Sequence, residues 1–347
     1  MNSTVTGRAF IGSFTENAGR GVIAASVDDG TGALTVLGAT DAVPNPSFLA
    51  AAPGGPLYAV SETDDGAVAA FDVTDTAPRL IGSPVRVGAD GPTHLALADG
   101  HVATANYTSG SVSVLPVRAS DGGLGAPVAV LQHRGGGPVQ DRQEGPHAHQ
   151  VKRDPSGRWL LSVDLGTDSV WVYALDPATG AVRGQGESPL RAGSGPRHLT
   201  FHPAGAHAYV INELEPTLTV CRWNGESGSL ESLGETSLLP DGDRTETFGS
   251  EVVVAPDARF IWAATRGHDS ISVFTLDRAG EKPELVTTVG CGGRWPRDLA
   301  LDPTGRRLYA ANERSGDVTW FDIDAGTGVP RRAGSLEAPA ASCVVFT

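Results

Sequence analysis

The segment Gly195-Pro196-Arg197-His198-Leu199-Thr200-Phe201-His202-Pro203 decides the fold, because its pattern recurs along the chain. A loop with glycine, proline or serine leads into a short apolar run, and this unit starts again every 46 to 54 residues. Such a period is typical of the four-stranded blade of a β-propeller and not of a helical solenoid. The copies begin at Pro46, Pro92, Pro146, Pro196, Ser250 and Pro296.

Within each unit the side chains alternate in the way that β-strands require. The tight turn Asp154-Pro155-Ser156-Gly157 precedes the apolar run Trp159–Val163, and Ser270–Phe274 alternates polar and apolar residues. Period-two alternation bounded by glycine and proline turns predicts strands, and no segment keeps a helical period. We therefore predict an all-β protein.

The two ends of the chain complete a seventh unit. Six complete units occupy Pro46–Ala340, and 45 residues precede them while 7 follow. The N-terminal part contains the apolar runs Arg8–Phe14 and Gly21–Val27 but lacks a first strand, whereas Ser342–Thr347 resembles an isolated first strand. Pairing the two closes a ring and removes exposed sheet edges. We predict a single domain, residues 1–347, folded as a seven-bladed propeller whose C-terminal strand pairs with the N-terminal blade.

Charge and composition exclude several classes of function. The chain has 347 residues, is 40% hydrophobic and carries a formal net charge of −14, which disfavours nucleic acid and anionic membranes as partners. No apolar run approaches the roughly 20 residues of a transmembrane helix, and Met1–Arg8 is too polar for a secretory signal. Cys221, Cys291 and Cys343 are odd in number and widely spaced, which suits a reducing compartment. We expect a cytoplasmic protein that is monomeric or weakly self-associating.

The propeller prediction brings distant residues together at one mouth of the central channel. The loop entering the first strand of a blade and the loop leaving the second lie on the same face. Arginines, histidines and carboxylates are frequent in these two columns, which predicts a polar, partly cationic pocket. The entering positions are Ser47, Thr93, His147, Arg197, Glu251, Arg297 and Ser342. The exit positions are Glu62, Tyr107, Leu165, Glu213, Arg266 and Glu313.

The longest connection between units, residues 132–149, is predicted to fold over the channel mouth. His147 and His149 are two residues apart, so in an extended strand both side chains point to the channel. Three interpretations of this pair remain open, namely a metal site, hydrogen bonds within a polar wall, and acid–base work or contact with a substrate. Zinc would need further ligands and no cysteine is near, so we predict no metal and no cofactor.

Five motifs taken together resemble a known family. They are Gly145–His149, Gly195–Pro203, Val210–Leu214, Thr265–Ile271 and Trp295–Leu299. With these motifs the chain resembles, over essentially its full length, the seven-bladed propeller lactonases, a family that includes bacterial 6-phosphogluconolactonases and fungal 3-carboxy-cis,cis-muconate lactonizing enzymes. By that resemblance, four residues match the active-site pattern of the lactonizing branch: His149, Arg197, Glu213 and Arg266.

The resemblance implies that similar residues can serve opposite reactions. Arg197 and Arg266 would hold a carboxylate or phosphate, because guanidinium groups bind oxyanions in a bidentate manner. Glu213, placed between arginines, is expected to have a lowered pKa and to act as a base, with His149 as the acid. Further contacts with the substrate are expected from His147, Arg297, Glu251, Arg142, Gln143 and Asp164.

Three functions from different classes are therefore considered. The first is hydrolysis of a small anionic sugar lactone of the 6-phosphogluconolactone type, in carbohydrate metabolism. The second is cycloisomerisation of an unsaturated dicarboxylate such as a carboxymuconate, in aromatic or secondary metabolism. The third is a non-catalytic scaffold, which predicts an apolar patch on the propeller face. Lys152 and Lys282 are the only lysines and neither is expected in the channel, so arginine would make any phosphate contact.

Overall fold

The computed structural model describes residues 5–240, 243 and 245–347, and β-strands form almost all of its regular structure. The strands make seven antiparallel sheets, and neighbouring sheets pack against each other around a ring. Thr15–Asn17 forms a short 3-10 turn. Within the described residues, no helix has the length and apolar character needed to cross a membrane. The prediction of an all-β, seven-bladed propeller is confirmed.

The strands of each blade are given in order from the channel outward. Blade 1 has β29 (Ala341–Phe346), β1 (Val5–Ser13), β2 (Val22–Asp28) and β3 (Leu34–Thr40). Blade 2 has β4 (Leu49–Ala51), β5 (Leu57–Ser61) and β6 (Ala67–Asp72), followed by β7 (Arg79–Leu80) and β8 (Val85–Arg86), which both pair with β6. Blade 3 has β9 (Pro92–Ala98), β10 (His101–Asn106), β11 (Ser111–Pro116) and β12 (Ala129–Gln132).

The remaining blades have the same order of strands. Blade 4 has β13 (Ala148–Arg153), β14 (Trp159–Asp164), β15 (Ser169–Leu175) and β16 (Val182–Pro189). Blade 5 has β17 (Pro196–Phe201), β18 (His207–Asn212), β19 (Thr217–Asn224) and β20 (Ser229–Ser237). Blade 6 has β21 (Phe248–Val254), β22 (Phe260–Arg266), β23 (Ser270–Leu276) and β24 (Pro283–Gly290). Blade 7 has β25 (Pro296–Leu301), β26 (Arg307–Asn312), β27 (Asp317–Ile323) and β28 (Pro330–Glu337).

The C-terminal strand closes the ring. β29 is the innermost strand of blade 1 and pairs antiparallel with β1, with Phe10 opposite Val345 and Ile11 opposite Val344. The predicted closure is therefore confirmed. Its physical advantage is that the inner strand of blade 1 is supplied by the other end of the chain, so that blade carries the same four layers as its neighbours.

Hydrophobic side chains are buried between every pair of neighbouring blades. The described residues form seven apolar clusters, one for each of the seven contacts around the ring. Between blades 4 and 5, for example, Leu161 packs with Leu199 and Trp223, and between blades 7 and 1, Ile11 packs with Tyr309. Since burying one large apolar side chain contributes about 1.5–3 kcal/mol, these clusters hold the blades in fixed relative positions. The loops at the channel mouth are thus presented by a rigid frame.

Hydrogen bonds from the hydroxyl or indole N–H groups of buried aromatic residues also connect neighbouring blades. At five contacts, an aromatic side chain on the second strand of one blade donates a hydrogen bond of 2.7–2.8 Å to a glycine carbonyl in the outer hairpin of the next blade. The pairs are Tyr58 with Gly122, Trp159 with Gly225, Tyr209 with Gly280, Trp262 with Gly328 and Tyr309 with Gly32. Each bond satisfies a polar group that the packing would otherwise leave unpaired.

Removing one of these hydroxyl groups should weaken the ring without changing its shape. Tyr209 is fully buried and its hydroxyl lies 2.8 Å from the Gly280 carbonyl. Tyr209→Phe should lower the free energy of unfolding by about 1–2 kcal/mol, because the carbonyl loses its partner. Tyr173→Phe is the control, since the Tyr173 ring is buried but its hydroxyl makes no hydrogen bond to the described residues. Equal losses for both variants in denaturant unfolding would contradict this account.

Candidate active site

A small cavity of about 10 Å³, enough for roughly one water molecule, lies on the channel axis near one mouth of the ring. Glu62, which follows β5, borders it, and Phe48, His198 and Asp298 complete its wall. Five of the seven entering positions also line it: Ser47, Thr93, Arg197, Arg297 and Ser342. These residues come from five different blades, so the ring geometry brings the two sequence columns to one place.

Glu213, the first residue after β18, is held by three arginines. Its Oε1 lies 2.6 Å from Nη2 of Arg142, which is on the loop between β12 and β13. Its Oε2 lies 2.7 Å from Nη2 of Arg266 and 3.3 Å from Nε of Arg197. The side chains of Arg197 and Arg266 are only 4% and 7% exposed, whereas that of Arg142 is 36% exposed. The cluster therefore has a buried part and a part that faces solvent.

The charges in this cluster control each other. Burial alone would raise the pKa of Glu213, but Arg266 and Arg197 together outweigh burial and hold that pKa well below its usual value. Burial, Arg266 and Arg297 lower the pKa of Arg197 to about 9, which still leaves the guanidinium charged at neutral pH. Glu213 is consequently a carboxylate under all physiological conditions, and it neutralises part of a positive cluster.

Backbone carbonyls and aromatic rings fix the orientation of the two buried arginines. Nη1 of Arg197 donates to the carbonyl of Ser250, and Nη2 of Arg266 donates to the carbonyl of Gly249 at 3.1 Å. The Arg266 guanidinium also lies 5.5 Å from the ring centre of Trp295. Among the described residues, Nε of Arg266 is buried without a hydrogen bond, and Nε of Arg197 has only its ion-pair contact of 3.3 Å with Oε2 of Glu213. Buried donors without an aligned partner call for an explanation, and a polar ligand or a water molecule at this place supplies one.

Aromatic and imidazole rings form the wall beside the arginines. His149 lies on β13 with its ring centre 5.0 Å from that of His198 and 5.5 Å from that of Tyr107, and His147 stacks on Tyr107 at 4.6 Å. Burial and the charge of Arg197 hold the pKa of His149 well below 6.5. A neutral imidazole can accept or donate a hydrogen bond but is a poor acid at neutral pH. The structure therefore argues against the acid role that we expected for His149.

A second polar layer lies below the mouth. Oε2 of Glu251 is 2.6 Å from Nδ1 of His198, and burial raises the pKa of Glu251 and of Asp298, whose carboxyl groups are hydrogen-bonded to each other. A register shift in β21 between Gly249 and Val252 accompanies this position. Glu251 therefore binds His198 and Asp298 and does not line the cavity, so the contact with the substrate that we expected from Glu251 is not supported.

The expectation of a channel without lysine is wrong. Lys152 lies on the inner strand β13, and its charge interacts with Glu251 and Asp298 in the lower layer. Burial lowers the pKa of Lys152, and these two carboxyl groups oppose that effect. The lysine was missed because alternation along a strand does not by itself say how deep in the channel a side chain lies. It is not among the residues that line the cavity.

The loop between β12 and β13 brings Arg142 to the site. Gln143 and Asp164, which were predicted to contact the substrate, hold this loop in place. Gln143 is buried, donates to the Leu165 carbonyl at 2.8 Å and accepts from the Val139 amide at 3.1 Å. Asp164 is fully buried and binds His133 Nδ1 at 2.5 Å. It also accepts the backbone amides of His147, Gly166 and Thr167. Both side chains are buried in hydrogen bonds that hold the loop, and neither lines the axial cavity, so the structure gives no support to their predicted contact with a substrate.

The structure thus brings together the four residues that the sequence analysis selected, together with Arg142 and Arg297. Arg297 lines the cavity and pairs with Glu313 at 3.1 Å. Two further residues of the exit column lie at the site, although the sequence analysis selected only Glu213 and Arg266 from that column. Glu62 borders the cavity and Tyr107 packs on the histidines. The position of Glu62 and Tyr107 in the exit column was the only sign of them in the sequence. Their contacts with the site residues are visible only in the structure.

The charged channel mouth of this seven-bladed propeller is unlike the apolar patch that a binding scaffold would present. The chain belongs to the lactonase family of seven-bladed β-propellers, whose family model matches residues 8–346. This assignment confirms the resemblance inferred from the five motifs.

Three relatives are similar along nearly their whole length. A 6-phosphogluconolactonase of Bacillus subtilis is 33% identical over 343 residues, which is 97% of each chain. The structure of a periplasmic gluconolactonase from Pseudomonas aeruginosa is 30% identical, with a TM-score of 0.91 and coverage of 98% of this chain and 99% of that one. A crystal structure of a protein from Lactobacillus plantarum is 28% identical, with a TM-score of 0.92 and coverage of 98% and 99%. The names favour lactone hydrolysis over cycloisomerisation.

Proposed function

We propose that this lactonase hydrolyses 6-phosphogluconolactone, or a sugar lactone of the same shape and charge, at the arginine cluster. The observation that carries the proposal is the pair of buried arginines, Arg197 and Arg266, whose Nε–H groups have no well-aligned hydrogen bond to the described residues. Such donors fit an oxyanion better than any neutral ligand, because charge-assisted hydrogen bonds are the stronger ones. The name of the Bacillus subtilis relative supports the choice of lactone.

The exposure of the arginines suggests how the substrate is oriented. Arg142 and Arg297 are 36% and 19% exposed, so they suit the phosphate group, which remains partly hydrated. Arg197 and Arg266 are almost completely buried, and they suit the carbonyl oxygen, which becomes an anion only in the transition state. Donors that are fixed before the reaction and shielded from water stabilise such an oxyanion most strongly.

The reaction proceeds by addition of water and opening of the lactone ring. Water adds to the lactone carbonyl carbon, and the negative charge that develops on the carbonyl oxygen is stabilised by Arg197 and Arg266. The carbon–oxygen bond of the ring breaks, and the open-chain acid leaves with the phosphate still attached. Glu213 keeps the buried guanidinium groups together when the site is empty, because it neutralises part of their mutual repulsion.

The proposal is tested by following acid release from freshly prepared 6-phosphogluconolactone in a pH-stat, at a slightly acidic pH where spontaneous hydrolysis is slow. We expect a rate proportional to enzyme concentration and well above the spontaneous rate. Glucono-δ-lactone without the phosphate should have a kcat/KM about 10- to 100-fold lower, which corresponds to losing charge-assisted hydrogen bonds of about 1.5–3 kcal/mol.

Two results would contradict the proposal in different ways. If neither lactone is hydrolysed faster than in buffer alone, these two substrates are excluded. If both are hydrolysed at equal kcat/KM, the phosphate contacts assigned to Arg142 and Arg297 are wrong while lactonase activity stands. Arg142→Ala separates these contacts further, since it should raise KM for the phosphorylated lactone more than for glucono-δ-lactone.

A further inference from the structure

Glu62 lies between the small axial cavity and the protein surface. Its side chain borders the axial cavity together with Arg197 and Arg297. It also borders an open depression on the surface, which is lined by Asn45, Thr108 and neighbouring residues. Glu62 belongs to blade 2, whereas Glu213 belongs to blade 5. The channel mouth therefore carries two carboxyl groups from different sides of the ring.

Hydrogen bonds fix one oxygen of Glu62 and leave the other available. Ser47 and Thr93 both direct their hydroxyl groups at Oε2, the latter at 3.3 Å. Oε1 makes no hydrogen bond to the described residues. The backbone amide of Glu62 donates to the Asn45 carbonyl at 3.1 Å, which holds the start of the loop. A carboxyl group with one anchored oxygen and one unpartnered oxygen is oriented for work on a bound molecule.

Glu62 and Glu213 have opposite electrostatic environments. Removal from water raises the pKa of Glu62 above its usual value, against the opposing influence of Arg297. The three arginines lower the pKa of Glu213 and occupy both of its oxygens. Base catalysis is most efficient when the pKa of the base lies near the working pH, so Glu213 is a weak base. Two carboxyl groups with pKa values shifted in opposite directions usually have different roles.

We propose that Glu62 is the general base of the lactonase reaction, an inference that rests on the function proposed above. As the water oxygen bonds to the carbonyl carbon, its proton moves to Oε1 of Glu62. The tetrahedral oxyanion then expels the ring oxygen, which takes that proton from Glu62 as the ring carbon–oxygen bond breaks. Glu62 returns to its carboxylate form, and the new carboxylic acid releases a proton to solvent. Glu213 serves as the counter-ion of the arginines and moves no proton.

Several charged groups surround Glu62 and enter its titration. Arg297 and Arg197 favour the carboxylate form. The other titratable side chains that line the two adjoining spaces are His198, Asp298, Glu16 and Asp64. Of these, burial and Arg197 hold the pKa of His198 well below 6.5, so this histidine stays neutral. Burial also raises the pKa of Asp298, so the acid decline is assigned to Glu62 by its loss in Glu62→Gln and not by its position on the pH scale.

The test is Glu62→Gln, which preserves size and can still accept hydrogen bonds from Ser47 and Thr93. With 6-phosphogluconolactone we expect kcat to fall about 10²- to 10⁴-fold, the usual contribution of a positioned base, while KM changes by less than about threefold. A general base must be ionised, so wild-type kcat falls as the pH drops through the pKa of Glu62. This decline should be absent in Glu62→Gln. Binding of the product 6-phosphogluconate, measured by calorimetry, should remain within about threefold of wild type and shows that the variant is folded.

The matched control is Asp65→Asn, which removes one negative charge from the same loop. Asp65 is exposed and pairs with Arg86 at 2.5 Å on the surface, so this variant should keep both wild-type kcat and the acid decline. If wild type is active and Glu62→Gln retains wild-type kcat, Glu62 is not the base and the proposed function stands. If wild type itself does not hydrolyse the lactone, the proposed function fails and this inference fails with it. An unchanged acid decline in a slow Glu62→Gln enzyme would also overturn the base role.

Discussion

Arg197→Ala should lower kcat for 6-phosphogluconolactone about 10²- to 10³-fold. The guanidinium of Arg197 is almost completely buried, fixed by the Ser250 carbonyl and directed at the axial cavity. Removing one fixed donor from an oxyanion site typically costs about 2.7–4 kcal/mol of transition-state stabilisation. Arg197→Lys should restore little, because an ammonium group cannot reproduce the planar set of donors. Steady-state kinetics with the lactone measures both effects.

Two comparisons make this result interpretable. Arg158→Ala removes an equal charge from an exposed position on a hairpin, where Nη1 has only a long contact of 3.4 Å to the Glu226 carbonyl. It should leave kcat within about twofold of wild type, as expected for a surface residue. Circular dichroism establishes that Arg197→Ala is folded. A folded Arg197→Ala enzyme with more than a tenth of wild-type kcat would show that this arginine does not stabilise the transition state.

Glu213→Gln should strongly destabilise the folded protein and also lower its catalytic activity. The substitution leaves Arg197 and Arg266 buried side by side without their counter-ion. Breaking a buried ion pair by removing one partner costs about 3–5 kcal/mol. With an unfolding entropy of about 2.1 cal/mol/K per residue, a protein of 347 residues loses roughly 1.4 °C of Tm per kcal/mol, or about 4–7 °C in total. Thermal unfolding followed by circular dichroism at neutral pH measures the change.

The sign of the pH dependence follows from the lowered pKa of Glu213. Its stabilising contribution is complete above the unfolded-state value of about 4.5 and is lost as the pH falls toward the lower folded-state pKa. The Tm difference between wild type and Glu213→Gln should therefore be largest near neutral pH and shrink below about pH 4.5. Glu231→Gln is the control, because Glu231 pairs with Arg222 at 2.9 Å on the surface of the same blade, and exposed pairs contribute under about 1 kcal/mol. A difference that is independent of pH would contradict the ionised state of Glu213.

Several features of the site could be predicted because they depend on the repeat. The period of 46 to 54 residues places Arg197, Arg297 and Ser342 at equivalent positions of different blades, and the structure lines one cavity with all three. Glu62 was in the exit column for the same reason. Its assignment as a base depends on the hydrogen bonds that Ser47 and Thr93 donate to one of its carboxyl oxygens. No spacing in the sequence reveals these hydrogen bonds.

Other assignments failed where local conformation controls a side chain. Glu251 was expected at the mouth, but in the structure it pairs with His198 below, at a point where the register of β21 shifts. Asp164 and Gln143 were expected to face a substrate, but backbone amides and a carbonyl use their hydrogen-bonding capacity. A polar residue near a site can either bind a ligand or hold a loop, and the two cases look alike in sequence.

The amino-acid sequence by itself determined the propeller, the closure of its ring and the group of polar residues at one mouth. These depend on periodic apolar residues and turn residues, which act over short distances along the chain. Only the tertiary structure decided that Arg142 contacts Glu213 across 71 positions of sequence and that Glu62 keeps an unpartnered oxygen beside the cavity. Ion pairing and pKa values depend on distances through space and on the exclusion of water, and both are established only when the blades have packed into the ring.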